Sequence, residues 1–147
     1  MYHCKRTVFR AGGRTPRGAL RGPFDMFSQS QFRELVREAI DLLPEEFGSR
    51  MENVQILVED EPSAELREEM GLQRGQTLFG LYQGVPLTER TTNYMNLPDT
   101  ITIFRKPILR LFHTPPEIRR EIARTVIHEI AHHFGIDDDR IEDLGWG

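Results

Sequence analysis

The sequence contains one cysteine, one tryptophan and no apolar run near the roughly 20 residues that a membrane-spanning helix requires. Its N-terminal charges are not followed by the apolar segment of a secretory signal. We therefore expect a protein that is neither secreted nor inserted in a membrane. Because Cys4 stands alone, an intramolecular disulfide framework and a multi-cysteine zinc ribbon are excluded, and a reducing cytoplasm is the expected compartment. A bound metal would need histidine and carboxylate ligands.

Charge is distributed unevenly along the 147 residues, which are enough for one domain. Residues 1 to 25 have a net charge of +5, whereas residues 26 to 147 hold 13 basic and 22 acidic residues, a net charge of −9. A body this acidic is a poor nucleic-acid binder, because neutralisation of phosphate charge supplies that affinity. We therefore expect no nucleic-acid binding, except through the basic N-terminal segment.

The N-terminal segment, residues 1 to 25, mixes glycines and prolines with arginines and has no helical or alternating apolar pattern. We predict a disordered basic tail here and a folded domain over residues 26 to 147. The tail is either an arm for nucleic acid or anionic lipid, or a leader with no specific role. Met26 follows it directly, so the native start is hypothesised to be Met26, which N-terminal sequencing of the native protein would test.

Helical periodicity occurs in two places before the last third of the chain. Apolar residues at three- and four-residue spacing predict a helix from Ser28 or Ser30 to about Leu43. An acidic stretch over residues 63 to 70, closed by Gly71, predicts a short exposed helix.

Strand patterns separate these helices. Alternating apolar residues predict a half-buried strand over residues 54 to 58, and further strands are predicted over residues 77 to 82 and 101 to 104. Residues 84 to 98 hold too many glycines, prolines and asparagines for regular structure. Helices and strands are therefore both predicted, and the expected fold class is α+β.

The last helix has the clearest signals. Thr114 as N-cap and Glu117 three residues later form a capping box, and Gly135 ends the helix. After this long helix, a separate short turn of helix over residues 141 to 144 is expected to pack Trp146 onto the domain. The apolar stripe of the long helix consists of Ile118, Ile122, Val126, Ile127, Ile130, Ala131 and Phe134.

The sequence His128-Glu129-Ile130-Ala131-His132 lies on this helix. Two histidines four residues apart share one helix face, so their ring nitrogens can converge on one cation. Glu129 is rotated by about 100° from His128, which keeps it from direct ligation but near a water in an open coordination position. Zinc suits nitrogen ligands and lowers the pKa of such a water toward about 7. Glu129 would then act as general base and pass the proton to the leaving amine.

A tetrahedral catalytic site needs a third protein ligand. Gly135 can adopt a positive φ and turn the chain sharply, so that the following residues, among them Asp138, come back under the metal as candidate ligands. Asp137 and Asp139 flank Asp138 and are alternatives. The acidic run could instead form a solvated loop or cap the final helix.

The pattern HExxHxxGxxD, with Asp138 as its last member, resembles the metzincin-like clan of zinc metallopeptidases. Over residues 27 to 147 the chain more closely resembles a small bacterial zincin-like metallopeptidase family, formerly a domain of unknown function. The resemblance rests on HEIAHHFGIDDDRIEDLGW, with GVPLTER and LPDTITI upstream. It implies a minimal zincin-like fold, a small mixed sheet packed on an active-site helix, with one Zn²⁺ per chain held by His128, His132 and Asp138. Glu142 is a further candidate ligand by analogy with other zincins, and the methionine turn of true metzincins is missing.

The expected partner is a peptide or protein substrate, and a monomer is expected. Residues 101 to 105 are a candidate edge strand that would pair with an extended peptide, or an edge protected against aggregation. Side chains that could stabilise an oxyanion are Tyr82, Tyr94, Arg105 and His113. His133 is expected beside the ligand face. The alternative function is a non-catalytic metal- or peptide-binding module of the same fold.

Overall fold

A computed structural model describes the backbone of residues 2–3 and 8–10, and the backbone and side chains of residues 27–84 and 97–147. The helices are α1 (Gln29–Ile40), α2 (Glu45–Gly48), α3 (Ala64–Glu69), α4 (Arg105–Leu111), α5 (Pro115–Phe134) and α6 (Asp138–Asp143), with a 3₁₀ turn at Ser49–Met51. The strands are β1 (Tyr2–His3), β2 (Val8–Arg10), β3 (Val54–Glu59), β4 (Gln76–Leu78), β5 (Gly80–Gly84) and β6 (Asp99–Phe104).

The main sheet has the strand order β1-β5-β6-β3. Strand β6 runs antiparallel to β5, with Ile101 opposite Tyr82, and parallel to β3, with Ile101 also opposite Ile56. Strands β2 and β4 form a separate antiparallel pair. The predicted α+β fold with a small mixed sheet is therefore confirmed.

Two strand predictions need correction. The strand predicted over residues 77 to 82 is divided at Phe79 into β4 and β5, which belong to different sheets. The edge strand predicted over residues 101 to 105 is wrong, because β6 pairs on both sides and Arg105 begins α4. The basic residue and the nearby proline that suggested an edge belong to the first turn of that helix, where proline is tolerated.

Helix α1 packs against α5, which in turn packs against β5 and β6 of the main sheet. Helix α1 begins at a capping box of Ser28 and Gln31 and ends at Ile40, three residues before the predicted Leu43. Fully burying one aliphatic or aromatic side chain stabilises a fold by about 1.5–3 kcal/mol. The core contains Phe32, Leu35, Val36, Ala39, Tyr82, Ile101, Ile103, Ile118, Ile122 and Val126.

Helix α5 runs through the centre of this core. The Thr114 side chain accepts a hydrogen bond from the Glu117 N–H, which is one half of the predicted capping box. Ile118, Ile122 and Val126 are buried as predicted, but Phe134 is 44% exposed. Phe134 is the last residue of α5, immediately before the cap residue Gly135.

The N-terminal segment differs in part from the predicted disordered tail. Residues 2–3 form β1 beside β5, and residues 8–10 form β2 beside β4. Strands this short pair through backbone hydrogen bonds and carry too few residues for an alternating pattern to be recognised. The rest of residues 1 to 25, Met26 and most of the loop predicted over residues 84 to 98 lie outside the described residues. The domain boundary at residue 26 stays a prediction.

Candidate metal centre

The two histidines of the HExxH sequence lie near the C-terminal end of α5. His128 and His132 are half-buried, and their ring centroids are 6.1 Å apart at an interplanar angle of 72°. Their placement on one helix face follows from the four-residue spacing, which corresponds to slightly more than one turn.

Gly135 brings the chain back toward these histidines. Its φ is positive, as predicted, with a value of +70°, which is the left-handed conformation common at the ends of α-helices. The Ile136 N–H donates a hydrogen bond to the Ala131 carbonyl. Helix α6 then begins at Asp138, three residues before the predicted start, because the Asp137 side chain caps it through the Asp139 N–H. The acidic run therefore includes a helix cap, one of the alternatives raised above.

Among the residues that the structure describes, His128, His132 and Asp138 form a group that could hold a metal ion. One ring nitrogen from each histidine and one carboxylate oxygen lie within 4.8 Å of one another. A tetrahedral ion with bonds of about 2.1 Å needs donor atoms roughly 3.4 Å apart, a difference that side-chain rotation can close. Two imidazoles and one carboxylate are a donor set that fits catalytic zinc.

The protonation of His128 agrees with this role. Burial lowers the pKa of His128 below its usual range, and the nearby charges of Arg124 and His132 lower it further, while Trp146 and Asp138 oppose the shift. Neutral imidazole is the form that binds a metal, so His128 is in the required state at neutral pH. Its Nε2 lies 3.0 Å from the Trp146 carbonyl oxygen, and Trp146 packs against the core as predicted.

Glu129 lies on the side of α5 that faces the sheet. Its side chain is 0% exposed, and Oε2 accepts a hydrogen bond of 3.2 Å from the Tyr82 N–H of β5. Eleven residues after Ile118, Glu129 returns to within about 20° of the same direction. The predicted apolar stripe omitted Glu129, although its spacing from Ile118 places it on the same face of the helix.

Tyr82, whose backbone N–H contacts Glu129, also belongs to a polar cluster with Asp99 and His133. The Tyr82 hydroxyl donates to Asp99 Oδ2 at 2.6 Å, and the His133 ring stacks on the Tyr82 ring with centroids 4.0 Å apart. His133 Nε2 lies 3.9 Å from Asp99 Oδ2. Asp99 was not singled out from the sequence, because its proximity depends on the pairing of β5 with β6.

The four candidates for oxyanion stabilisation are placed differently. Buried Arg105 donates to Asp60 at 2.8 Å and to the Phe27 carbonyl at 2.7 Å, so it joins α4 to the end of β3. His113 precedes α5 and lies roughly 20 Å along the helix from His128. Tyr82 donates its hydroxyl to Asp99, and Tyr94 lies outside the described residues.

A protein-family model described as zincin-like metallopeptidase matches residues 51–146, about two thirds of the chain. The chain therefore belongs to the zincin-like metallopeptidase family, as its HExxHxxGxxD sequence predicted. A search of curated proteins found no match. None of the helices in residues 27–84 and 97–147 is both long and apolar enough to cross a membrane.

Proposed function

We propose that this zincin-like metallopeptidase is a zinc-dependent enzyme that hydrolyses peptide bonds. In this proposal His128, His132 and Asp138 hold one zinc ion, and Glu129 is the general base. The observation that carries it is that three donor atoms lie within 4.8 Å of one another, two of them on the helix that also carries Glu129. When bound, zinc supplies a Lewis acid that polarises the scissile carbonyl and lowers the pKa of a coordinated water.

The Glu129 carboxylate has the proton-transfer role. It would accept a proton from the attacking water and donate it to the nitrogen of the leaving amine, which balances the reaction. The Tyr82 N–H donates to Oε2 and thereby limits how the carboxylate can rotate. The backbone of β5 therefore orients the base.

One observation favours the alternative function, a non-catalytic metal- or peptide-binding module. Glu129 is fully buried and bonded to the backbone, so its carboxylate also has a structural role. In such a module, zinc would hold the α5–α6 corner together, so chelation would unfold the protein, and the protein would hydrolyse no peptide of a degenerate library.

Glu129→Gln separates the two functions. As an enzyme, the zinc-loaded wild type cleaves members of a degenerate peptide library, and Glu129→Gln retains zinc but cleaves about 10²- to 10⁴-fold more slowly. Glu121→Gln is the matched control, because Glu121 is buried on the same helix eight residues earlier. Mass spectrometry of the library gives the rates. Zinc binding with no cleavage by the wild type would contradict the enzyme and support the module.

A further inference from the structure

The main sheet carries a second, smaller hydrophobic cluster on the face opposite α5. Side chains alternate between the two faces of a strand. Ile101 and Ile103 of β6 therefore lie in the main core, whereas Phe104 packs with Leu81 of β5 in the smaller cluster, against which Leu66 of α3 also packs. A cavity of about 230 Å³ opens beside this cluster and is lined by residues of α3 and of strands β3, β5 and β6.

The rim of this cavity is acidic. It includes Glu59 at the end of β3, and Glu65 and Glu69, which lie four residues apart on α3, and all three are exposed. In the described part of the chain, none of these glutamates forms an ion pair with a basic side chain. Carboxylates of one sign around one opening attract a cation.

The floor of the cavity contains a buried hydroxyl. Thr102 is 6% exposed and lines the cavity together with Leu81 and Phe104. Its side chain forms no hydrogen bond with any group in residues 27–84 and 97–147. Buried hydroxyl groups are normally paired with protein, water or ligand. A ligand with an N–H group would therefore find an acceptor at the bottom of the cavity.

The arrangement of the carboxylates excludes a metal ion as the ligand. Among the described residues, the three-ligand group that is close enough for a metal is His128, His132 and Asp138. Pockets for drug-sized ligands measure about 300–1,000 Å³, so this cavity suits a smaller group. Lysine and arginine side chains combine an aliphatic stem, which packs on apolar surface, with a positively charged end. They match the apolar wall and the acidic rim together.

We propose that this cavity binds the basic side chain, lysine or arginine, of a peptide. The aliphatic stem lies against Leu66, Leu81 and Phe104, and the charged end donates hydrogen bonds to the Thr102 hydroxyl and to a carboxylate of the rim. Peptides are the expected partners because the chain belongs to a metallopeptidase family. The cavity lies on the face of the sheet opposite α5, so the inference does not rest on the proposed zinc site.

The test is a titration of the isotope-labelled full chain, followed by amide NMR, with capped tripeptides that carry lysine, arginine or uncharged norleucine between two alanines. We expect the lysine or the arginine peptide to shift the amide signals of Leu81, Thr102 and Phe104. The norleucine peptide should bind at least about tenfold more weakly, because it lacks the charge-assisted hydrogen bonds. No shift of these signals with either basic peptide, or equal affinity for norleucine, would overturn the inference.

Glutamine variants test the acidic rim at constant side-chain size. Glu65→Gln and Glu69→Gln should each weaken binding of the preferred basic peptide by about two- to fivefold. Glu68→Gln is the matched control, because Glu68 is exposed on the same helix but does not line the cavity. Equal losses in all three variants would show that the acidic surface attracts the peptide without a defined site, and would overturn the inference.

The buried hydroxyl is tested by Thr102→Val, which keeps the shape of the side chain. We expect it to weaken binding by about two- to tenfold through the loss of one hydrogen bond. Thr77→Val is the matched control, because the Thr77 hydroxyl is also buried without a partner but lies outside the cavity. Unchanged affinity in Thr102→Val would contradict the proposed arrangement. The exposed glutamates keep the inference falsifiable if Thr102→Val does not fold.

Discussion

In residues 115–127 of α5 the buried side chains are mainly apolar and pack against α1 and the sheet, whereas residues 128–134 bring buried and half-buried polar groups to partners on other elements. Glu129 reaches β5, His128 reaches the turn after α6, and His133 stacks on Tyr82. Apolar packing has no required direction, but each polar contact needs a partner at a fixed place. The first half therefore supplies stability, and the second half depends on the exact arrangement of its neighbours.

The largest effect is expected in the first half. Ile122→Ala removes a fully buried side chain and should lower the free energy of unfolding by about 2–5 kcal/mol. Urea denaturation measures this loss. Zinc affinity of the folded variant should equal that of the wild type, and a large fall in affinity would show that the two halves are not separable.

Gly80 of β5 lies against Thr125 of α5. A Cβ added there would lie 2.7 Å from Thr125 Cγ2, so Gly80→Ala should cost about 1–3 kcal/mol through overpacking. Thr125→Ser removes that methyl group, but the added Cβ would still lie 3.2 Å from the Thr102 carbonyl oxygen and 3.3 Å from Ile103 Cδ1. Gly80→Ala should therefore cost less stability in the Thr125→Ser background than in the wild type. Thermal denaturation of the four proteins forms a double-mutant cycle. Strict additivity would contradict the proposed close contact.

Alanine substitutions at two glycines that follow helices distinguish the cost of backbone strain from an effect on zinc binding. Gly135 and Gly71 have φ values of +70° and +64°, and a Cβ at either position meets no atom within 4 Å. Alanine at either should cost about 1 kcal/mol, because an L-residue is strained in this conformation. Only Gly135→Ala should also weaken zinc binding, since Gly135 directs the chain to Asp138. Equal zinc affinity in both variants, measured by chelator competition, would contradict that role.

The smallest effect concerns the pH dependence of stability. Burial raises the pKa of Glu121 above its usual range, despite the opposing charge of Arg124. A raised carboxyl pKa contributes stability below the unfolded pKa, and that contribution is lost as pH rises through the folded value. Glu121→Gln should therefore be slightly more stable than the wild type at pH 7, by less than about 1 kcal/mol because the ion pair with Arg124 is also lost.

Melting temperatures of both proteins between pH 3 and pH 8 measure this difference. The advantage of Glu121→Gln should disappear at the acidic end. Asp60→Asn should behave in the opposite way, because a hydrogen bond from Arg105 lowers the pKa of Asp60. Its loss of stability should appear at neutral pH and vanish on acidification. A constant difference across the range for either variant would contradict the assigned pKa direction.

Local patterns account for what could be predicted from the sequence. Helix α5 begins after Thr114 and ends before Gly135 because cap residues act over one turn, and the spacing of His128 and His132 places them on one face through helical geometry alone. The family followed from the same short stretch. These features need no knowledge of distant contacts.

Features set by distant pairing could not be predicted. The central position of β6 depends on its pairing with both β3 and β5, which no periodicity within residues 99–104 reveals. The hydrogen bond from the Tyr82 N–H to Glu129 joins residues 47 apart in the sequence. The contact between His128 and Trp146 requires the turn after α6. Helix α6 begins at Asp138 because Asp137 caps it, and a cap in the acidic run was only one of the alternatives that the sequence left open.

The central claim is that His128, His132 and Asp138 together hold zinc, and metal content tests it most directly. Purified protein is incubated with zinc at neutral pH, desalted and analysed by mass spectrometry. We predict about one zinc ion per chain in the wild type and none in His132→Ala or Asp138→Ala. Asp139→Ala, the neighbouring exposed aspartate, should retain it. A wild type that stays free of zinc, or an Asp138→Ala variant that binds it as tightly as the wild type, would contradict the three-ligand site.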